Sequence, residues 1–217
     1  MLFSKSQPKI FCISFQRTGT TSVGRFFKEF GYQVASWDKE RSALWSYYRF
    51  TGNIEAIFTS KDFKKHQVFE DNPWWELDFY RVLYHRFPNA KFILFTRDAD
   101  KWFDSMLSHS KGKNLGNAFR HSKIYRREEE FYKNFPNENH YETAKIIDNR
   151  LPLNESHREH YKSIYRIRNK EIIEFFEVFS PHSLFVANLE DNDKWQRLGQ
   201  FIGFQVPIDY NIHANKS

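Results

Sequence analysis

The chain's 217 residues are 40% apolar and 19% aromatic, with 24 Phe, 11 Tyr and 6 Trp, which suffices for one large domain around a Phe-rich core. A charged fraction of 28%, with no run of ~18 apolar residues, excludes a collagen-like or wholly disordered chain and leaves no transmembrane segment to expect. Lys and Arg outnumber Asp and Glu by 33 to 27, and this net charge of +6 favours an anionic partner: a nucleotide, a sulfated or phosphorylated small molecule, or a nucleic acid.

The opening stretch, MLFSKSQPKIFCISF, has no long apolar run ending in a small-residue cleavage site, so no secretory signal is expected. Cys12 is the single cysteine; it cannot close an internal disulfide, and a cytoplasmic location is the expectation. Ile10–Phe15 reads as a strand buried on both faces. Val23, Phe26, Phe27 and Phe30 then recur at helical spacing, with Gly31 where a helix ends. A weaker strand at Gln33–Trp37 and a helix over Arg41–Phe50 follow, broken by Thr51-Gly52-Asn53. Gln67–Glu70 is another short strand. Asp71-Asn72-Pro73 opens a helix carrying Leu77, Tyr80, Tyr84 and Phe87 on one face.

Lys91–Thr96 (KFILFT) is the strongest strand. Asp98 suits the N-cap of the next helix, whose apolar stripe is Trp102, Phe103, Met106 and Leu107. From about 108 to 153 the sequence turns polar and reads as an insertion or lid with some helix. A long helix spans Asn154–Phe179, with Tyr161, Ile164, Tyr165, Ile172, Phe175, Phe176 and Phe179 inward, and Pro181 stops it. Leu184–Leu189 is the last strand. Asp193 opens a final helix with Trp195, Leu198 and Ile202, closed by Gly203. Strands alternating with helices predict an α/β fold, a parallel sheet flanked by helices, with ligands outside the carboxyl ends of the strands.

Chemistry is therefore sought just after each strand. The first such loop is Gln16-Arg17-Thr18-Gly19-Thr20-Thr21-Ser22. Unpaired N–H groups at a helix N-terminus suit an anion, Gly19 allows close wrapping, the hydroxyls add donors, and Arg17 adds a charged fork. The pattern lacks the second glycine and the lysine of a Walker A loop. After the best strand comes Arg97, and Ser105 lies two turns into the following helix. Singly, Arg97 could pair with Asp98 or Asp100. Together with the first loop, Arg97 and Ser105 propose two anion sites on one sheet edge.

These two loops resemble those of the sulfotransferases that use 3′-phosphoadenosine 5′-phosphosulfate (PAPS). Phe15 through Ser22 is similar to the family's 5′-phosphosulfate loop, and Arg97 with Ser105 matches the spacing of its 3′-phosphate site. Asp71-Asn72-Pro73, Phe87 through Asp98, Leu184 through Gly203, and His213-Ala214-Asn215-Lys216 look like the compact bacterial-type branch. The resemblance implies a P-loop NTPase-like α/β fold in a single domain over 1–217. It also implies transfer of a sulfuryl group from PAPS to a hydroxyl or amine of a small-molecule or glycan acceptor. 3′,5′-Adenosine bisphosphate (PAP) would be the product, with no metal and no nucleic acid involved. Arg17, Thr18, Gly19, Thr20, Thr21, Ser22, Arg97 and Ser105 would then hold the donor. The family's terminal Arg-Lys-Gly triplet is absent, and Lys216 is its substitute.

Arg17 is assigned the charge that develops on the leaving phosphate, assisted by Thr20 and Thr21. Two departures stand out: Gln16 occupies a usual Pro, and Arg17 a usual Lys. The general base falls to Asp71 or Glu70 at a strand end, with His66 a weaker option. Asp71 reads equally well as the N-cap of the next helix. Two rivals stay open, a P-loop-like kinase of a nucleotide or small molecule and a non-catalytic module binding anions or nucleic acid. His157 and His160 read as a solvated helix face rather than metal ligands.

Overall fold

All the predicted strands pair into one sheet. The computed structural model describes residues 8–109, 119–139 and 151–212. Strands β1 (Ile10–Cys12), β2 (Val34–Ala35), β3 (Val68–Phe69), β4 (Lys91–Thr96) and β5 (Leu184–Asn188) run parallel in the order β2-β3-β1-β4-β5. The helices are α1 (Thr20–Glu29), α2 (Trp37–Ala43), α3 (Trp45–Phe50), α4 (Ile54–Thr59), α5 (Lys61–Lys65), α6 (Phe79–Arg86), α7 (Ala99–Ser108), α8 (Phe119–Ile124), α9 (Glu128–Asn134), α10 (Arg158–Phe179) and α11 (Lys194–Ile202).

Alternation along the strands assigns each residue a face. Phe11, Ile13, Phe69, Phe92 and Leu94 pack against α6 and the second half of α10, through Phe79, Leu83, Ile172 and Phe176. Ile10, Cys12, Val68, Ile93 and Phe95 point the other way, onto Val23, Phe26 and Phe27 of α1 and Trp195 and Leu198 of α11. A third cluster, holding Phe15, Trp75, Trp102, Tyr125, Tyr161 and Tyr165, sits beyond the carboxyl end of β1. This third cluster forms the floor of the candidate site.

Strand order fixes where that site belongs. From β1 the chain leaves for β2 on one side, and from its neighbour β4 it leaves for β5 on the other. Between two such strands the departing loops part and leave a crevice. The loop at 15–22 and the residues after Thr96 flank it.

Several elements differ from the sequence reading. The expected helix over Arg41–Phe50 is two helices, broken at Leu44, whose φ is 54°. Helices α4 and α5 were not anticipated. The helix expected from Asp71 starts only at Phe79, so Leu77 lies on the preceding turn, 44% exposed rather than inward. Phe179 ends α10 and is 56% exposed. Two stretches within the expected insertion are helical, α8 and α9, and five of the six α8 residues are buried. Among the described residues no helix is long and apolar enough to cross a membrane.

Candidate active site

The loop after β1 is held from several sides. Ser14 Oγ accepts from Phe95 N–H at 2.7 Å, tying the loop's start to β4. Gln16 is fixed by two hydrogen bonds. Its carbonyl accepts from Trp102 Nε1 at 3.0 Å, and its Nε2 donates to Tyr125 Oη at 2.7 Å. From α10, Arg168 Nη1 donates to Ile13 C=O at 3.1 Å, its guanidinium lying 4.6 Å over the Phe15 ring. Arg17 and Gly19 take positive φ, 66° and 85°.

Gly19 precedes α1 and provides no side-chain cap, and the first turn carries no acidic residue. The first helical backbone bond runs from Val23 N–H to Gly19 C=O at 3.0 Å, which leaves the N–H groups of Thr20 and Thr21 directed out of the helix end. Partial positive charge collects there. The Thr18 side chain is fully buried and its hydroxyl donates to Phe15 C=O, so only its main chain faces the loop. Thr20 and Ser22 are largely buried, whereas Thr21 is exposed.

The second strand tip meets the first. Arg17 Nε donates to Ser105 Oγ at 3.1 Å. Burial lowers the Arg17 pKa below its usual value, and the like charge of Arg97 lowers it further. The Arg97 backbone is pinned by Tyr165, whose hydroxyl accepts from Arg97 N–H at 2.8 Å and donates to Arg97 C=O at 3.1 Å. Neither aspartate neutralises Arg97. Asp98 caps α7 through Asp100 and Lys101 N–H, and Asp100 pairs with Arg158 at 3.2 Å and Lys162 at 2.7 Å. Among the described residues Arg97 has no ion-pair partner. Two guanidiniums, a helix end and a serine thus face one crevice, an arrangement suited to a ligand with more than one negative charge. Burial lowers the pKa of His109, just past α7, and the Arg17 charge lowers it further. Lys216 lies outside the described residues.

Glu70 and Asp71 follow β3, beside this crevice. Glu70 is packed onto α1, where a Cβ on Gly24 would lie 3.0 Å from Glu70 Oε1. Burial and the Asp71 charge raise the Glu70 pKa to about 8, against the opposing influence of Ser36 and Lys28. Asp71 has φ 72° and accepts from Asn72 N–H at 2.9 Å. Burial and Glu40 raise it to about 6, while the Asn72 bond, Trp75 and the Arg120 charge pull it back. The N-cap alternative for Asp71 does not hold, since Asp78 precedes the helix. His66 sits before β3, at the opposite end of the sheet, with Nδ1 2.7 Å from Asp62 C=O.

Around Asp71 stand Glu76, Arg120, Glu40 and His121, which no pattern in the sequence marked. Glu76 Oε1 lies 3.4 Å from Arg120 Nε, and both side chains are buried. Glu40 is buried and accepts from Ser46 N–H at 3.0 Å. His121 stacks on Trp75, centroids 6.3 Å apart and planes 14° from parallel. Among the described residues no three His, Cys, Asp or Glu side chains form a group able to hold a metal ion. His160 bonds Tyr125 C=O at 2.7 Å, and His157 bonds Asn154.

A family model described as "Sulfotransferase domain" matches residues 9–217. Among solved structures, the chain is similar to the crystal structure of a sulfotransferase from Alicyclobacillus acidocaldarius, at 14% identity and a TM-score of 0.49, over 96% of this chain and 87% of that one. No curated protein sequence gives a significant match.

Proposed function

Because the chain belongs to the sulfotransferase family, we propose that it transfers a sulfuryl group from PAPS to an acceptor hydroxyl. The observation that carries the choice of donor is the contact of Arg17 with Ser105, beside Arg97 and the α1 N-terminus. PAPS bears anionic groups at both ends of its ribose, and two cationic strand tips suit the two ends. Arg17 and the N–H groups of Thr20 and Thr21 receive the 5′-phosphosulfate, while Arg97 and Ser105 receive the 3′-phosphate.

In the transfer, the acceptor oxygen forms a bond to sulfur as the S–O bond to the 5′-phosphate breaks. PAP leaves with the bonding electron pair, and the acceptor's proton passes to Asp71. Negative charge grows on the leaving phosphate oxygen, so donors already aimed there stabilise the transition state more than the bound substrate. Asp71 is the base rather than Glu70. Glu70 is packed onto α1 at Gly24, whereas Asp71 stands at the turn beside Trp75 and Arg120.

Calorimetric titration with PAP and separately with ATP–Mg²⁺ tests the donor. Tight PAP binding with weak ATP–Mg²⁺ binding is expected. The reverse order would favour a kinase, and a steeply salt-dependent affinity for mixed-sequence nucleic acid without PAP binding would favour a binding module.

A further inference from the structure

We propose that Asn72, Trp75 and Glu76 of the turn after β3, together with Arg120 and His121 of α8, form the acceptor subsite, and that it takes a polyhydroxylated acceptor, a sugar or cyclitol in chemical class. The assignment rests on the reading of Asp71 as the base that meets the acceptor hydroxyl.

The first support is hydrogen-bonding capacity that the fold leaves unused beside Asp71. Asn72 and His121 are 5% and 2% exposed, yet Asn72 Oδ1 and both ring nitrogens of His121 have no hydrogen-bond partner. Buried polar atoms are paired in nearly all folded proteins, so a concentration of unpaired ones marks a place where another molecule completes them. These atoms gather at one spot. Asn72 adjoins Asp71, Trp75 and Arg120 act on its carboxylate, and His121 stacks on Trp75 next to Arg120.

The second support is the mixture of donors and acceptors. Asn72 Oδ1 can only accept. Burial and the Arg120 charge push the His121 pKa down to about 3, so its imidazole is neutral and offers one of each. Vicinal hydroxyls match that set, since every hydroxyl both donates and accepts. A phenol or a plain alkyl alcohol supplies one hydroxyl, which Asp71 takes, and leaves the remaining groups unpaired. The aromatic faces are also occupied: Trp75 packs on Phe15 with centroids 5.6 Å apart and on His121. What the cluster offers a ligand is therefore its polar atoms.

The test uses the full chain. PAP affinity is measured first by calorimetry, and transfer from radiolabelled PAPS is then followed to methyl glucoside, myo-inositol, 4-nitrophenol and 1-octanol. Transfer to a sugar or cyclitol at least ~10²-fold more efficient than to the phenol is expected, because a site built to bond hydroxyls rejects partners that lack them. His121→Phe should raise KM for the sugar about 10-fold or more with PAP affinity unchanged, while His121→Gln, which keeps a donor and an acceptor, should stay within a few-fold of wild type. If His121→Phe does not fold, Glu76→Gln and His121→Gln carry the comparison, with a raised sugar KM expected for Glu76→Gln. PAP binding with transfer to the phenol or octanol but to neither polyol overturns the acceptor class alone, as does an unchanged sugar KM in both His121→Phe and Glu76→Gln. Failure to bind PAP overturns the donor reading and the subsite with it.

Discussion

Arg17 Nε and Ser105 Oγ meet at 3.1 Å across two separate strand-to-helix connections, one following β1 and the other β4. The bond orients the guanidinium proposed to meet the leaving phosphate. Arg17→Ala removes both charge and fork and should slow transfer by about 10²–10³-fold, the usual cost of losing one preorganised donor. Arg17→Lys keeps the charge without the fork, and Ser105→Ala keeps the fork unanchored. Both should fall between wild type and Arg17→Ala in single-turnover rate. A near-normal rate for Arg17→Ala would remove this residue from the mechanism.

Gly19 has φ 85°, and a Cβ there would lie 2.6 Å from Leu189 Cδ1. The Leu189 side chain can turn aside, but the left-handed backbone cannot relax without moving the loop. Gly19→Ala should cost about 1–2 kcal/mol in chemical denaturation and weaken PAP binding. Gly52 is the control: its φ is 80° and nothing lies within 4 Å of its would-be Cβ. Gly52→Ala should show a similar backbone cost and unchanged PAP affinity.

Much of this site is readable from residue order, because the loops that build it directly follow strands. Lys91–Thr96 is a strand over its full expected length, Asp98 caps the next helix, and Arg97 and Ser105 stand on the same edge as Arg17. The surroundings of Asp71 are less readable for a physical reason. Arg120 and His121 sit in a polar stretch, and a charged residue reads as solvated unless its partner is known. The partner is Glu76, distant in the chain, and only the tertiary approach of α8 buries the pair. Short helices escape for a related reason. The six and five residues of α4 and α5 are too few to display a periodic face. At Leu44 a positive φ occurs without glycine, so nothing in the residue types announced the break.

Glu70 makes stability depend on pH in a stated direction. Burial raises its folded pKa from 4.5 to about 8, so the folded chain binds this proton more tightly than the unfolded one. Its contribution is most favourable below the unfolded value and is lost as pH rises toward the folded one. Glu70→Gln removes the cost of ionising a buried carboxyl. The difference in unfolding free energy between Glu70→Gln and wild type should therefore shift in favour of the variant from about pH 5 to pH 8. A pH-independent difference across that window would show that Glu70 ionises without penalty.

Asp71 should govern the acid limb of the rate. As the base it must be ionised, so kcat/KM should rise with pH through about 6 and then level off. Asp71→Asn should lose about 10²–10⁴-fold in rate with PAP affinity retained, since the side chain lies outside the anion crevice. The position of the limb reports its neighbours. Glu40, Glu70 and Glu76 face Asp71 as carboxyls and Arg120 faces it as a cation. Arg120→Met removes this opposing charge and should move the limb to higher pH, whereas Arg120→Lys should hold it near the wild-type position. Glu70→Gln removes a coupled neighbour but not the base, so an acid limb should remain. A limb that stays put in Arg120→Met, or that disappears in Glu70→Gln, would transfer the role of base from Asp71 to its neighbour.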